Sequence, residues 1–400
     1  MQKERLHFPE HIWYRVPEKY APFLSTNSNA FLVAGLLAGM YFGEDIEVRG
    51  TTSPRLAYHL EEYQHILNFR MPNEVKPVKI HFENLSQNTT KPSSVGSTFT
   101  GGVDSLYTIW EHLPPNQPIP QYQVTHGLFI HGFDILHHEK ADYQQLFNGF
   151  RQELSRSNIE LIEIETNMNS IIHQRLNLSY YLGPLIISAG LVLDKLFHRF
   201  YVPSSWDYAQ LQKKAHTSDP LVDNLLSTET MEIIHHGSAT RRIEKVESIA
   251  DWEIAQKTMW VCLNASFKEK TWNCSRCDKC VRTMIPLYAL GKLRNFVKFE
   301  KPITRPAEIL WYARKFDLRS NYVNEMFPYL QKRKPEFLPW LALATIIEYL
   351  RYLFIKFLPG FIKQFLRRFG YFKPRNDAPD AYEVQEINQI IKNSYDHSST

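Results

Sequence analysis

Runs of apolar and alternating positions divide the first part of the chain into short helices and strands. An almost continuous apolar run before Gly43 is typical of a buried helix that ends at glycine. Ser53 followed by Pro54 is the pattern of a helix N-cap with proline at the first helical position. The predicted elements are a helix over 28–42, a strand over 46–48, a helix over 54–67 and a strand over 78–82.

Residues 84–97 separate this part of the chain from the next. The segment is rich in Asn, Ser, Thr, Pro and Gly, a composition that is typical of a linker. We therefore place a boundary near residue 93 and predict a small N-terminal α/β domain over residues 1–93.

Beyond residue 93 a strand, a loop and a helix follow one another repeatedly. Predicted strands cover 96–99, 124–130, 159–164, 200–202 and 232–235, and predicted helices cover 104–112, 139–155, 178–197, 240–250 and 278–290. This alternation predicts an α/β fold, a doubly wound parallel sheet with helices on both faces. Ligands bind such sheets at the carboxyl ends of the strands, so we expect the functional site in the loops that follow strands.

Composition places the protein among globular chains. Apolar residues make up 44% and charged residues 22% of the 400 positions, which disfavours the disordered and fibrous classes. The formal net charge of +4 argues against a protein that coats nucleic acid. Residues 1–16 lack the apolar core of a signal peptide, and charges interrupt the apolar stretch over 338–358. We therefore expect a cytoplasmic protein without a transmembrane segment.

The loop after the first strand of the alternating part carries two glycines, two hydroxyls and a carboxylate. These residues are Thr100, Gly101, Gly102, Asp104 and Ser105. Glycines let consecutive backbone N–H groups converge on an anion, and the following helix adds its N-terminal dipole. The hydroxyls suit phosphate oxygens, and Asp104 suits a Mg²⁺ ion bound beside them. The alternative is a tight strand-to-helix turn with an Asp cap.

Two common phosphate-binding patterns, G-x-x-x-x-G-K-[ST] and G-x-G-x-x-G, are absent from the sequence. The run Phe-Thr-Gly-Gly-Val-Asp-Ser at 99–105 instead resembles the S-G-G-x-D-S loop of the PP-loop ATP pyrophosphatase superfamily, with Thr100 in place of the usual serine. The resemblance implies a fold of the adenine nucleotide alpha hydrolase type. It also implies a reaction that adenylates a substrate oxygen and releases pyrophosphate.

The four cysteines lie within nineteen residues, in the pattern C-x11-C-x2-C-x2-C. They are Cys262, Cys274, Cys277 and Cys280. This spacing brings four thiolates to one tetrahedral ion, and four sulfur ligands leave no open position, so we predict a structural Zn²⁺ site. The alternatives are free thiols packed as small core residues and a redox-active C-x2-C pair.

Together, the glycine loop and the cysteine cluster resemble the 7-cyano-7-deazaguanine synthase family over residues 95–292. The resemblance implies that residues 100–105 hold ATP and Mg²⁺, with Asp104 and Ser105 as catalytic residues. It implies a carbon–nitrogen ligase that activates the carboxylate of a deazapurine for attack by ammonia, as in queuosine biosynthesis. We therefore predict a PP-loop domain with a four-cysteine zinc loop over residues 94–295.

The chain departs from that family at 130–134, where it reads Ile-His-Gly-Phe-Asp in place of a typical Asp-Tyr-Gly-Gln run, and in its additional residues at both ends. The acceptor is therefore open: a deazapurine-like molecule or another small carboxylate. One alternative is a nucleic-acid modification enzyme of the same fold. A second is a nucleotide-binding partner module, as in antiviral defence systems. A third is a membrane-peripheral or assembly protein that acts through the C-terminal helices.

Further polar residues follow predicted strands at the same sheet edge. Gly132 would let an adenine ring approach the backbone, or is an ordinary turn glycine. Arg241 and Arg242 open a predicted helix, where cations are unfavourable unless an anion docks; the alternative is a pair of solvated surface arginines. The other substrate candidates are Ser205, Asp207, His216 and Asp219.

Residues 296–400 form the predicted third part, a basic helical extension. Residues 331–375 carry ten lysines or arginines against two glutamates, a local charge of +8. This charge suits an acidic protein or a nucleic acid as partner. The alternatives are a solvated basic face and a membrane-surface helix with its apolar face over 361–369. A homodimer is compatible with the sequence.

Overall fold

A computed structural model describes residues 11–87, 91–133, 135, 137–168, 178–212, 217–262, 272–312 and 321–357. The described residues group into two compact units, one up to Arg241 and one from Arg242 onwards. This division does not coincide with the boundaries at 93 and 295 that the sequence suggests. Those boundaries stay predictions. The fold class does not depend on these boundaries, because it is assigned from the strands and helices themselves.

Strands and helices alternate through most of the first unit. Its strands are β1 (Tyr14–Arg15), β2 (Ile46–Thr52), β3 (Ile80–Leu85), β4 (Ser94–Thr98), β5 (His126–His131), β6 (Glu160–Thr166), β7 (Phe197–Pro203) and β8 (Glu232–His236). Its helices are α1 (Asn29–Phe42), α2 (Pro54–Arg70), α3 (Val103–Glu111), α4 (Lys140–Leu154), α5 (Leu178–Leu191) and α6 (Tyr208–Leu211). Two sequence-based expectations are confirmed here: Ser53 caps α2 by accepting the Leu56 N–H, and Gly43 ends α1 in the left-handed conformation.

The central sheet has six strands in the order β1-β6-β5-β4-β7-β8. Strands β4 to β8 pair in parallel, and the short β1 pairs antiparallel to β6 at the edge. The prediction of an α/β fold built on a mostly parallel sheet is confirmed. From β4, the chain builds the sheet first towards β5 and β6 and then towards β7 and β8. The carboxyl end of β4 therefore lies at the point where strand order reverses, which is where open α/β sheets bind ligands.

Residues on both sides of position 93 share one hydrophobic core. Leu36 of α1 and Leu60 of α2 belong to the same buried cluster as Ile162 of β6 and Phe200 of β7. Full burial of one such side chain stabilises the fold by about 1.5–3 kcal/mol. The N-terminal residues thus contribute to the core beneath the sheet, in addition to forming the two-stranded parallel sheet of β2 and β3.

Two predicted elements differ from the structure. Residues 94–97, predicted as part of a linker, begin the central strand β4. Glycine is needed at position 96 because a Cβ there would lie 2.8 Å from the Phe200 ring. Because the strand is built from small and polar residues, its sequence resembles a linker. The helix predicted over 178–197 ends at Leu191, because a turn closed by Leu196 N–H to Leu193 C=O leads into β7.

The second unit is helical. Its helices are α7 (Arg242–Ile249), α8 (Glu253–Thr258), α9 (Asp278–Ala289), α10 (Ile309–Tyr312), α11 (Asn321–Arg333) and α12 (Leu338–Phe357). Helix α12 packs on α10 and α11 and buries Leu341 and Ala344. Of the predicted basic segment 331–375, the part beyond Phe357 lies outside the described residues. Among the described helices, none combines the length and apolarity that a membrane crossing requires.

Candidate functional site

The glycine loop, residues 99–105, connects β4 to α3 at the reversal point of the sheet. Gly101 has φ +75°, and Gly102 is the N-cap of α3 in an extended conformation. The left-handed turn at Gly101 brings the chain directly from the strand into the helix. The N–H groups in the first turn of α3 have no partner within the helix itself, which is the general property that makes such ends bind anions.

Two hydroxyls hold the glycine loop in shape. The Ser105 hydroxyl accepts from the Thr100 N–H at 3.2 Å and donates to the Gly102 carbonyl at 3.1 Å. The Thr100 hydroxyl accepts from the Gly102 N–H at 3.3 Å. These bonds close the loop on itself, so both hydroxyls have a structural role here. Asp104 stands in the first turn of α3, where a carboxylate is favoured by the helix dipole.

Gly101 is required on two grounds. Its positive φ strains any residue with a side chain. In addition, a Cβ at this position would lie 2.5 Å from the Phe150 ring of α4. The Phe150 ring is fully buried and packs edge-on against Phe99, which starts the loop. The loop is therefore fitted closely to the helix beneath it.

The loops after β7 and β8 are joined to each other. The Ser204 and Ser238 hydroxyls lie 2.8 Å apart, and the Ser204 N–H donates to the His236 carbonyl at 2.8 Å. Ser205 beside them is exposed. Asp207 caps the short helix α6, because its Oδ1 accepts the Gln210 N–H at 2.8 Å. Of these two substrate candidates, Ser205 thus faces solvent and Asp207 has a structural bond.

His236, at the end of β8, links that strand to α3 and was not singled out from the sequence as a site residue. Its Nδ1 lies 3.1 Å from the Thr108 hydroxyl, and its ring stacks on Tyr107. His112 packs edge-on against it, and burial lowers the pKa of His112. These rings connect the glycine-loop helix to the strand two positions away in the sheet. Only the position of His236 directly after a predicted strand could have indicated it.

Asp219 is a structural residue, and His216 lies outside the described residues. The Asp219 carboxylate is buried and pairs with Arg70 of α2 at 2.7 Å, and it accepts the Leu221 N–H at 2.8 Å. Near it, Asp223 is fully buried, with its Oδ2 2.7 Å from the Nδ1 of His235. Burial raises the pKa of the Asp223 carboxyl, and the hydrogen bond from His235 opposes that shift.

The other predicted positions fall in separate places. Gly132 ends β5 in a turn with φ +104°, where a Cβ would lie 2.1 Å from the Thr166 carbonyl oxygen. That close approach gives the glycine a structural reason that is independent of any adenine ring. Arg241 is the exposed last residue of the first unit, and Arg242 is the first residue of α7 in the second. The anion site predicted for the two arginines stays a prediction.

In the second unit, the four cysteines converge as the spacing predicts. Asn273 positions them: its Oδ1 accepts the Val261 N–H at 2.9 Å, and its Nδ2 donates to the Met259 carbonyl at 2.8 Å. These bonds place Cys262 beside Cys274. Cys277 is the N-cap of α9, and Cys280 lies in the first turn of the same helix.

The sulfur geometry fits one tetrahedral ion. All four Sγ atoms lie within 4.8 Å of one another. The distance is 3.7 Å from Cys277 Sγ to Cys262 Sγ and 4.0 Å from Cys274 Sγ to Cys280 Sγ. Zn–S bonds of about 2.3 Å at tetrahedral angles place sulfurs about 3.8 Å apart. The four thiols are buried and free of disulfides, so the cluster is a fitting Zn²⁺ site.

Proton competition among the thiols points the same way. Hydrogen bonds from the other three sulfurs, first that of Cys262, lower the pKa of Cys274. Contacts with Cys262 and Cys274, together with burial, raise the pKa of Cys277 and Cys280. Four thiolates in this small volume would repel one another, so a cation is needed to offset their charge. A divalent ion supplies that charge.

A cavity in the first unit lies away from the glycine loop. It measures about 1110 Å³ and is lined by Lys19, Tyr20, Arg151 and Glu160 among other residues. Glu160 is the first residue of β6, so the cavity is at the amino end of the strands, opposite the ligand-binding edge. The cavity therefore carries no argument for a nucleotide site.

Comparisons of the chain with protein-family models, with curated proteins and with solved structures found no match. The site must accordingly be interpreted from its own residues and geometry, together with the motif resemblance of the glycine loop and the cysteine cluster.

Proposed function

We propose that this chain is an ATP-dependent ligase of the PP-loop class, forming AMP and pyrophosphate while it activates a carboxylate. The observation that carries the proposal is the glycine loop at the carboxyl end of β4, the strand at which the sheet order reverses. This position supports a phosphate-binding role for the loop, because open α/β sheets bind ligands there. The favoured acceptor is a deazapurine-like carboxylate, by resemblance to 7-cyano-7-deazaguanine synthases.

Each residue of the loop has a definite part in this proposal. When bound, ATP supplies an electrophilic α-phosphorus and pyrophosphate as the leaving group. The backbone N–H groups after Gly102, in the first turn of α3, stabilise the charge that develops on the departing pyrophosphate. Asp104 holds Mg²⁺, which favours a carboxylate together with phosphate oxygens. Thr100 and Ser105 fix the loop shape through the bonds between them.

Zn²⁺ has a structural part in the proposal. Four sulfur ligands leave no position for water or substrate, so the ion stabilises the segment before α9 and takes no part in bond making. The ligands are Cys262, Cys274, Cys277 and Cys280.

The test incubates the purified full chain with Mg-ATP, ammonia and 7-carboxy-7-deazaguanine and measures AMP and pyrophosphate. We expect both products. We expect Asp104→Ala to lower their formation at least about a hundredfold, because Mg²⁺ loses its carboxylate ligand and then stabilises the pyrophosphate charge less well. Gly101→Ala should abolish activity through the clash with Phe150. Gly35→Ala is its matched control, since a Cβ at Gly35 meets nothing within 4 Å.

The outcomes separate the proposal from its rivals. AMP formation only with another carboxylate would keep the ligase class and reject the deazapurine. ATP binding without release of AMP or pyrophosphate would favour a nucleotide-binding partner module instead. Unchanged turnover in Asp104→Ala would reject the assigned site.

A further inference from the structure

A second cluster of metal-ligating side chains lies at the carboxyl edge of the sheet in the first unit. It consists of His131, the last residue of β5, of Glu165 near the end of β6, and of His137, the first residue of a short 3-10 helix (His137–Glu139). We name these three residues the histidine cluster. His131 and Glu165 face each other because β5 and β6 pair in parallel with these two residues in register.

Two imidazole nitrogens converge on one carboxylate oxygen. The Oε1 of Glu165 lies 3.3 Å from the Nδ1 of His137 and 3.7 Å from the Nδ1 of His131. Ligands about 2.1 Å from a shared ion are separated by about 3.0 Å at right angles and by about 3.4 Å at tetrahedral angles. The observed separations are within a few tenths of an ångström of those values.

The tautomer of His137 makes its Nδ1 a ligand atom. Its Nε2 lies 2.6 Å from the Thr166 carbonyl oxygen, which can only accept, so Nε2 carries a proton and donates. Nδ1 is then the ring atom that faces the Glu165 carboxylate, 3.3 Å from Oε1, and a metal cation between these two atoms would offset the carboxylate charge. Metal-bound histidines typically donate their second N–H to a carbonyl in this way.

The surrounding residues hold the cluster in position. Arg15 of β1 donates to the Oε2 of Glu165 at 2.7 Å, which orients the carboxylate and leaves Oε1 towards the histidines. His131 is buried, and its ring stacks on Tyr143 at 4.2 Å. Because Gly132 has no Cβ, its backbone can approach the Thr166 carbonyl oxygen, the same atom to which His137 is hydrogen-bonded. The three ligands are thus preorganised by neighbours on three elements.

We propose that the histidine cluster binds a divalent transition-metal ion of the Zn²⁺ or Fe²⁺ type. Two imidazoles and one carboxylate favour these ions over Mg²⁺, which prefers oxygen ligands throughout. Three protein ligands leave at least one coordination position for water or a substrate oxygen, in contrast to the closed set of four cysteines. The site is therefore an open one, and it stands independently of the proposed ATP chemistry.

The experiment measures zinc per full chain by elemental analysis and calorimetric titration with Zn²⁺ alone. We expect two equivalents. One resists a mild chelator and belongs to the cysteines, and the other is removed by it. His137→Gln and Glu165→Gln should each keep the resistant equivalent and weaken the second at least about tenfold, because one of only three ligands is lost. Thermal melting without added metal checks that both variants fold.

A matched control lies on the same two strands. His126 faces Glu160 at the amino ends of β5 and β6, with 3.6 Å between Nε2 and Oε2, but without a second histidine among the described residues of that contact. His126→Ala should leave both zinc equivalents unchanged. One equivalent in the unmodified chain would overturn the proposal and assign the cluster to a protonated His137 paired with Glu165. Equal loss in His126→Ala would overturn it as well.

Discussion

The cysteine cluster and the histidine cluster differ in how the chain assembles them. Three of the four cysteines lie between positions 274 and 280, so one turn and the start of α9 bring them together. The histidine cluster joins residues from two strands that are 34 positions apart between His131 and Glu165. The cysteine cluster is a local structure, and the histidine cluster exists only once the sheet has formed.

The chemistry of the two clusters follows the same contrast. Four sulfurs saturate a tetrahedral ion and stabilise the segment that carries them. Two imidazoles and a carboxylate leave an open position at the sheet edge where ligands bind. The number of ligand atoms thus distinguishes a closed structural site from the open site that we propose. Only the closed site can be recognised from the spacing of its residues in the sequence.

The largest effect is expected from the cysteine cluster. Cys277→Ser should remove the chelator-resistant zinc and lower the free energy of unfolding by about 4 kcal/mol or more, since metal binding contributes directly to folding. Urea unfolding and zinc content are the measurements. Arg276→Ala changes the exposed neighbour and should alter neither. Zinc retained in full by Cys277→Ser would contradict the assignment of a closed site with four sulfur ligands.

The second largest effect is expected at a buried contact between one histidine and one carboxylate. It differs from the histidine cluster, which has two histidines. Asp223 and His235 are bonded at 2.7 Å, and Ser218 donates to the same Oδ2 at 2.9 Å. Asp223→Ala should cost about 3 kcal/mol, because both partners lose their acceptor in a buried site. The zinc content should not change.

Asp251→Ala is the control, because it removes an exposed ion pair with Lys292. It should lower the free energy of unfolding by less than about 1 kcal/mol. Similar losses for the two variants would contradict the buried pair.

The smallest effect is expected at the amino end of β6. The hydrogen bond from Lys19, followed by that from Tyr20, lowers the pKa of Glu160 in the folded chain. A lowered folded pKa stabilises the protein above the unfolded pKa of the carboxyl, and this contribution is lost as pH falls through the folded value. Glu160→Gln should therefore differ from the unmodified chain by less than about 1 kcal/mol near neutral pH, after solvent screening, and the difference should vanish in acid. Unfolding curves at several pH values measure it, and a difference independent of pH would contradict the ion-pair account.

The sequence predicted what depends on short-range pattern. The alternation of strands and helices, the cap at Ser53 and the convergence of the cysteines all follow from residues near one another in the chain. Strand β4 was misjudged at its start because its small residues are selected by Phe197 and Phe200, about a hundred positions later. The length of α5 was misjudged because apolar residues continue beyond Leu191 into β7, interrupted only by Asp194 and Lys195 in the turn between them.

Long-range partners also decide what the site candidates do. Asp219 is bonded to Arg70, 149 positions earlier, and no local pattern indicates that pair. Asp207, in contrast, has its capping partner three positions away, and the sequence could have indicated a cap there. The histidine cluster needed the register of β5 and β6 before its residues could be connected.

The proposed function requires the glycine loop to serve cleavage of ATP between its α- and β-phosphates. The most direct measurement identifies the nucleotide products of the full chain supplied with Mg-ATP, ammonia and 7-carboxy-7-deazaguanine. We expect AMP and pyrophosphate in equal amounts, with both lost in Asp104→Ala. ADP and phosphate as the products, or no AMP with this or any other small carboxylate, would contradict the proposed function.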